Sequence, residues 1–470
     1  METDDEGWLS RRRLLAGSGL ALGAAALAGA ASAQDTPPAE PLADPDFHEP
    51  DDTTAAQVQS PPAPNAMPAG GTDWAWVRGQ WALDWSLVDL SAMLFASNPR
   101  IVRDAIDRHR KGLDSSPVTY LESRNRPLQN AARAAAGAYF NVPADNVALC
   151  ESTTSGIGLL YSGLDIRYGQ EVLTTTHDYY ITHESLRLAT LKRGGSVRKI
   201  TLFDQAAAAT VEQIVGRIIA NIRPETRVLA LTWVHSSTGL KMPIRAIADA
   251  LKPINAARAP QDRVLFSVDG VHGFGVENTT LPELGCDFLV AACHKWMFGP
   301  RGTGVVFGTP FGWSRVSPTV PSFLAPNAYG AWLGNYDPGP TTGARMTPGG
   351  FKAFEHVWAL TEAFQFHGMV GKAAIEARTH ALASRLKYGL ELMPHIRLRT
   401  PTDPGLSAGI VAFDVDGLSA DGVVRRLRRL NIIGSAAPYA TRHVRLTPSM
   451  RNTIEDVDYA IGALRRIKEV

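Results

Sequence analysis

Residues 291–308 read AACHKWMFGPRGTGVVFG, and they set Lys295 directly after a histidine, between an apolar run and a glycine-rich turn. Lysine is costly to bury and easily left in water, so its place at the end of the run FLVAA (288–292) needs a reason. Two readings compete: a surface lysine on an ordinary loop, or an amine held in a pocket for carbonyl chemistry. Partial desolvation lowers a lysine's pKa and frees its lone pair, which suits Schiff-base formation. The following Gly299-Pro300-Arg301-Gly302-Thr303-Gly304 supplies a tight turn with little side-chain bulk.

Other apolar runs end on chemistry-bearing residues too. VLFSVD (264–269) closes on Asp269, with Gly270 and His272 beyond it. An acid there calls for a cationic partner, such as a pyridinium nitrogen, or else serves as a helix cap. The run before His177-Asp178-Tyr179-Tyr180 ends in planar rings that either stack on a flat ligand or pack on one another. VALC (147–150) leads into Glu151-Ser152-Thr153-Thr154-Ser155-Gly156, which is either an anion site at a helix start or a simple cap. Runs such as VLALT and VLFSVD are apolar on both faces, as strands buried in a mostly parallel sheet require. All four ends then share the C-terminal edge of one sheet, where open α/β folds bind ligands.

The pattern predicts helices over 98–113, 126–139 and 153–164. It predicts strands at 147–150, 171–175, 227–232, 264–268 and 288–291, with 304–308 returning along an edge. After residue 368 a long helix (372–392), IVAFDV, a helix over 420–430, NIIGS, HVRLT and a final helix over 454–467 form a compact α+β lobe. The expected division is a large domain over 73–368 and a small C-terminal domain over 369–470.

The 470 residues carry a formal net charge of +1, with 45% hydrophobic and 20% charged side chains. That balance gives no electrostatic footprint for nucleic acid and no polybasic argument for a membrane surface. Ser10-Arg11-Arg12-Arg13 precedes an Ala/Gly-rich apolar run (16–31) and Ala31-Ser32-Ala33. Residues 1–33 therefore read as a twin-arginine export signal with its cleavage site, recognised by the matching export machinery. The run is too short and weakly apolar for stable membrane insertion. Export would place the mature protein in the periplasm. Residues 34–72, rich in Pro, Ala and Asp, read as a disordered spacer. Three cysteines, Cys150, Cys286 and Cys293, cannot build a disulfide framework.

Asp269-x-x-His272, His294-Lys295 and G-P-x-G-x-G together resemble the class V aminotransferase branch of fold-type I pyridoxal-phosphate (PLP) enzymes, which includes cysteine desulfurases and isopenicillin N epimerase-like proteins. His235-Ser236-Ser237-Thr238-Gly239 with Pro243, Val444-Arg445-Leu446-Thr447-Pro448 and Asn452-Thr453-Ile454-Glu455-Asp456-Val457-Asp458 extend the likeness to the C-terminus. The resemblance implies an α/β fold with a large, mostly parallel sheet and a small α+β domain. It also implies roles. Lys295 binds the cofactor and moves protons at the substrate α-carbon, Asp269 pairs with the pyridine nitrogen, and His272 lies near the phenolic oxygen. His177 stacks on the ring, with Tyr179 as the fallback. Thr153, Thr154 and His294 hold the phosphate, and Arg445 binds a substrate carboxylate. Thr347, in Thr347-Pro348-Gly349, lends a phosphate contact to a neighbouring subunit, which implies a homodimer.

Three departures matter. Ala292 stands where the family often has a phosphate-binding serine, and Ser236 where asparagine is usual. No cysteine follows residue 368, the region that carries the persulfide nucleophile of desulfurases. The expected activity is therefore modification of an amino acid or peptide amine, as in exported relatives that tailor siderophore peptides. A C–S or other β-lyase is the alternative, and a non-catalytic binding protein on the same fold is the third.

Overall fold

The computed structural model describes residues 72–469. The expected signal peptide and all but the last residue of the expected spacer lie outside the described residues.

Seven strands form the central sheet: β1 (Val147–Cys150), β2 (Glu171–Thr175), β3 (Ser196–Ile200), β4 (Thr226–Thr232), β5 (Leu265–Asp269), β6 (Phe288–Ala292) and β7 (Gly304–Gly308). Their order is β1-β7-β6-β5-β4-β2-β3. From β6 through to β3 neighbours are parallel, while β7 runs antiparallel to both β6 and β1. Helices cover both faces, so β5, β6 and β7 are buried along their whole length. That burial explains why these runs show no alternation.

Two expectations change here. Residues 304–308 do not lie at an edge; β7 sits between β1 and β6, consistent with its fully apolar sequence. The true far edge is β3, whose Arg198 and Lys199 break the apolar signal and leave it half exposed. Charged side chains are a common way to blunt an edge strand, and they hid this one from the sequence pattern. The second predicted helix also begins earlier, at Pro117, and runs to Phe140 with Pro127 inside it. Its first turns bury no residue before Gln129, so they set no apolar face for a periodic signal.

The small domain packs the helices Lys372–Glu391, Ala420–Arg429 and Ile454–Arg465 on an antiparallel sheet. The strands are β8 (Ile396–Leu398), β9 (Val411–Val415), β10 (Ser435–Ala436) and β11 (Val444–Leu446), in the order β10-β11-β9-β8. An N-terminal segment joins this lobe: Val88 and Asp89 pair in parallel with Ile432 and Ile433, and Leu90 is buried in the small-domain core. The same segment continues to Met93 and Leu94, which reach the cavity described next.

Candidate active site

A cavity of about 150 Å³ opens at the C-terminal ends of the parallel strands. Thr153 and Thr154 after β1, Tyr179 after β2, Asp269 and His272 at β5, Lys295 after β6 and Arg445 from β11 all line it. The fold thus brings together six of the nine cofactor, catalytic and substrate candidates, together with Tyr179, the fallback for His177. His177 is also near but faces elsewhere, and Thr347 does not reach the site.

Asp269 is buried, and its Oδ1 accepts a hydrogen bond from the Val271 N–H at 3.1 Å. Burial pushes its pKa up to about 6, against the Val271 N–H and the Lys295 charge. Among the described residues no cation forms an ion pair with this carboxylate, and Lys295 acts on it only through its charge. Burial likewise lowers the Lys295 pKa; Asp269 opposes that shift and Arg445 reinforces it. His272 is neutral, held far below its usual pKa by burial first and by Lys295 and Arg445 next. Its Nδ1 accepts from the Trp296 indole N–H at 3.3 Å. Indole only donates, so the His272 proton sits on Nε2, which is left as a donor for the cavity.

The helix start resolves its two readings. Ser152 and Ser155 form a reciprocal capping box on the helix Thr153–Gly163, so capping does not need the threonines. Thr153 Oγ1 accepts from the Ala292 N–H at 2.8 Å, tying the helix start to the end of β6. Thr154 is exposed at the cavity. Together they offer hydroxyls at a helix N-terminus, a suitable place for a phosphate. His294 sits beside the cavity without lining it; its ring tilts against Phe95 at 5.9 Å and its buried Nδ1 has no partner.

His177 stacks on Phe203, with ring centroids 3.9 Å apart and planes 10° apart. Its Nε2 accepts from the Leu202 N–H at 3.1 Å, and burial lowers its pKa to about 4. The ring lines a neighbouring cavity instead, so Tyr179 is the aromatic side chain at the site wall. Thr347 needs a larger correction. It is buried within its own chain, where its hydroxyl accepts from the Leu149 N–H at 3.0 Å and donates to Gly343 O at 2.9 Å. Both capacities serve the β1 edge, and no surface remains to meet a neighbouring subunit.

Arg445 is 2% exposed. It donates to Ser236 O at 2.7 Å, to Ala436 O at 3.2 Å and to Ser435 Oγ at 3.2 Å. Burial lowers its pKa to about 10, and among the described residues no carboxylate forms an ion pair with it. A buried cation satisfied only by neutral acceptors at a cavity wall has the chemistry to receive an anion.

One residue that supports the site escaped the sequence reading. Asp178 is fully buried and accepts from Thr174 Oγ1, Thr175 N–H and Thr175 Oγ1 on one oxygen, and from the Thr232 N–H at 2.7 Å on the other. It clamps the ends of β2 and β4 beneath the site. The signal was the threonine run just before it, which reads as strand until the hydrogen bonds are seen.

A sheet edge presenting a desolvated lysine opposite a buried carboxylate, beside a helix start, defines a PLP-dependent enzyme of fold type I. The chain belongs to the aminotransferase class-V family, whose profile matches residues 108–459. It is 26% identical to isopenicillin N epimerase of Streptomyces clavuligerus over 402 residues, which covers 83% of this chain and 98% of that one. It is 24% identical to a probable cysteine desulfurase of Xylella fastidiosa over 86% of this chain and 98% of the relative. In fold it is similar to the cystine C–S lyase C-DES in complex with its product cysteine persulfide. That match has a TM-score of 0.72 and 20% identity, covering 81% of this chain and 97% of the other.

The residues present fit PLP. Asp269 is a buried acid in need of a cation, Lys295 an amine with a lowered pKa, and the Thr153–Gly163 helix start an anion site. Among the described residues no helix is long and apolar enough to cross a membrane.

Proposed function

We propose that this enzyme acts at the α-carbon of an amino acid, or of an amino-acid end of a larger molecule, outside the cytoplasm. The observation that carries the reading is Arg445, a buried guanidinium without a carboxylate partner at the wall of the cavity that holds Lys295. Its fork matches a carboxylate, and an α-amino acid is the ligand that brings a carboxylate and an amine together.

Bound PLP supplies an electron sink for the bond broken at the α-carbon. Asp269 would hold the pyridine nitrogen, Nε2–H of His272 the phenolic oxygen, Tyr179 one ring face, and the hydroxyls of Thr153 and Thr154 the phosphate. Arg445 orients the substrate through its carboxylate. Lys295, with its pKa lowered by burial, takes a proton from the α-carbon and returns it.

The three cysteines are all buried, their thiol pKa values raised, and none lines the cavity. A desulfurase working through its own cavity thiol is therefore disfavoured. A C–S lyase needs no such thiol and is the competing reading; release of pyruvate and sulfide from cystine would single it out. Incubating cofactor-loaded protein with amino acids in deuterated water tests the main proposal. Deuterium should enter the α-position, and Lys295→Ala should abolish the exchange; absence of exchange with every α-amino acid and amino-acid-ended peptide would refute it.

The arginine pair at the N-terminus supports export, and an exported substrate of the siderophore-precursor kind would supply a peptide with an amino-acid end. Arg11→Lys with Arg12→Lys should retain the protein in the cytoplasm on fractionation. A homodimer is supported by exposed Phe323, Trp332, Tyr336 and Phe351 within one stretch of the large domain, and light scattering would measure it.

A further inference from the structure

A second cavity, of about 430 Å³, begins one residue beyond the first on two loops. Ser236 lines the small cavity while Ser237 and Thr238 line the large one; Pro438 lines the small cavity while Tyr439, Ala440 and Thr441 line the large one. The partition is Tyr439, whose hydroxyl meets Ser236 Oγ at 2.8 Å and whose ring lies 5.5 Å from Tyr179. One neutral hydrogen bond is a weak fastening. On its outer side the large cavity opens between exposed Asp204, Gln205 and Ala207.

The chemistry of the α-carbon restricts what fills this space. On the reading above, Lys295 meets the substrate's amine end, Arg445 takes the carboxylate, and the α-hydrogen is the reacting substituent. Only the side chain is left to extend. A cavity of about 150 Å³ accommodates little beyond the head, so a longer side chain must pass Tyr439.

The large cavity's lining then indicates the class of extension. Its hydroxyls, among them Thr176, Thr238 and Thr441, both donate and accept, which matches the N–H and C=O of an amide. The stacked rings of His177 and Phe203 add an aromatic stretch to the wall. Arg399 and His443 are both engaged by the single carboxylate of Asp414, at 2.8 and 2.7 Å. The interior therefore favours neutral hydrogen-bonding groups over an acidic tail.

We propose that the large cavity is the second half of the substrate site, and that it receives an amide-bearing extension carried on the side chain of the substrate's amino-acid head. This rests on the amino-acid reading of the small cavity. Calorimetric binding to the cofactor-loaded protein, with L-2-aminobutyrate and γ-L-glutamylglycylglycinamide, whose extension is neutral, as probes, tests it. The extended probe should bind about tenfold more tightly or better. Ala207→Trp, which fills the outer opening, should bring the ratio of the two dissociation constants near one. Thr441→Trp should do the same from the loop after Tyr439, and thermal melts would confirm that each variant folds. A ratio near one in the unaltered protein, or a ratio preserved in both folded tryptophan variants, would overturn the second cavity alone. Absence of binding by both probes would overturn the amino-acid reading and this proposal with it.

Discussion

Replacing Arg445 by methionine distinguishes a structural arginine from a receptor. Lowering the guanidinium pKa to about 10 by burial corresponds to roughly 3 kcal/mol against the charged form. Its bonds to Ser236 O, Ala436 O and Ser435 Oγ, at about 1 to 3 kcal/mol each for a charged donor, offset that cost in the ligand-free protein. Methionine keeps the stem volume, removes the desolvated charge and leaves two carbonyls unpaired. The net change in folding stability should lie within about 2 kcal/mol. Ligand binding is another matter. Two charge-assisted bonds to a carboxylate, about 1.5 to 3 kcal/mol each, are lost outright, so affinity for an α-amino acid should fall by roughly 100-fold or more. Calorimetric titration with an amino acid and with the matching amine lacking the carboxylate, beside a thermal melt, reads both effects. The variant should lose its preference for the acid and keep its Tm within a few degrees. A steep drop in Tm with the preference intact would show that Arg445 holds the fold and not the substrate.

Asp269→Asn should raise the Tm of cofactor-free protein at pH 8. The folded pKa of about 6 exceeds the usual carboxylate value, so stability in the parent falls as pH rises from about 4 to 6, and the variant should lose that fall along with its grip on the cofactor. Tyr179→Ala should weaken cofactor retention by roughly 3- to 10-fold, from a stacking contribution of about 0.5 to 1.5 kcal/mol. His177→Ala should act mainly on Tm, because its ring packs on Phe203 and caps the Leu202 N–H; dialysis against cofactor-free buffer followed by absorbance separates the two. Thr347→Val should cost about 1 to 3 kcal/mol by leaving the Leu149 N–H without its acceptor, with cofactor content per chain unaltered, as denaturant titration and cofactor assay would show.

The strand ends at Asp269 and Lys295 were legible because β5 and β6 are buried on both faces, so any polar residue closing them stands out against an apolar run. The same logic failed for β3, where the edge position puts Arg198 and Lys199 into the strand itself. It also failed for the place of β7, since an apolar run does not reveal whether it lies inside a sheet or at its border. Within His177-Asp178-Tyr179-Tyr180, periodicity cannot say which ring faces the ligand. The decision comes from Phe203 and Leu202, some twenty-five residues away, which claim His177 for themselves. Asp178 was passed over for the same reason, because its four donors come from two strands. Thr347 shows the limit of carrying a role across relatives: the motif is present, but the hydroxyl is already engaged at Leu149 and Gly343.

Lys295 is the residue proposed to carry the cofactor, at the cavity it shares with Asp269 and Arg445. Borohydride reduction of the protein as isolated, followed by peptide mass spectrometry, reads this directly. The cofactor mass should be fixed to the peptide containing Lys295 and be absent from Lys295→Ala; a label on any other lysine, or none on protein that demonstrably contains PLP, would contradict it.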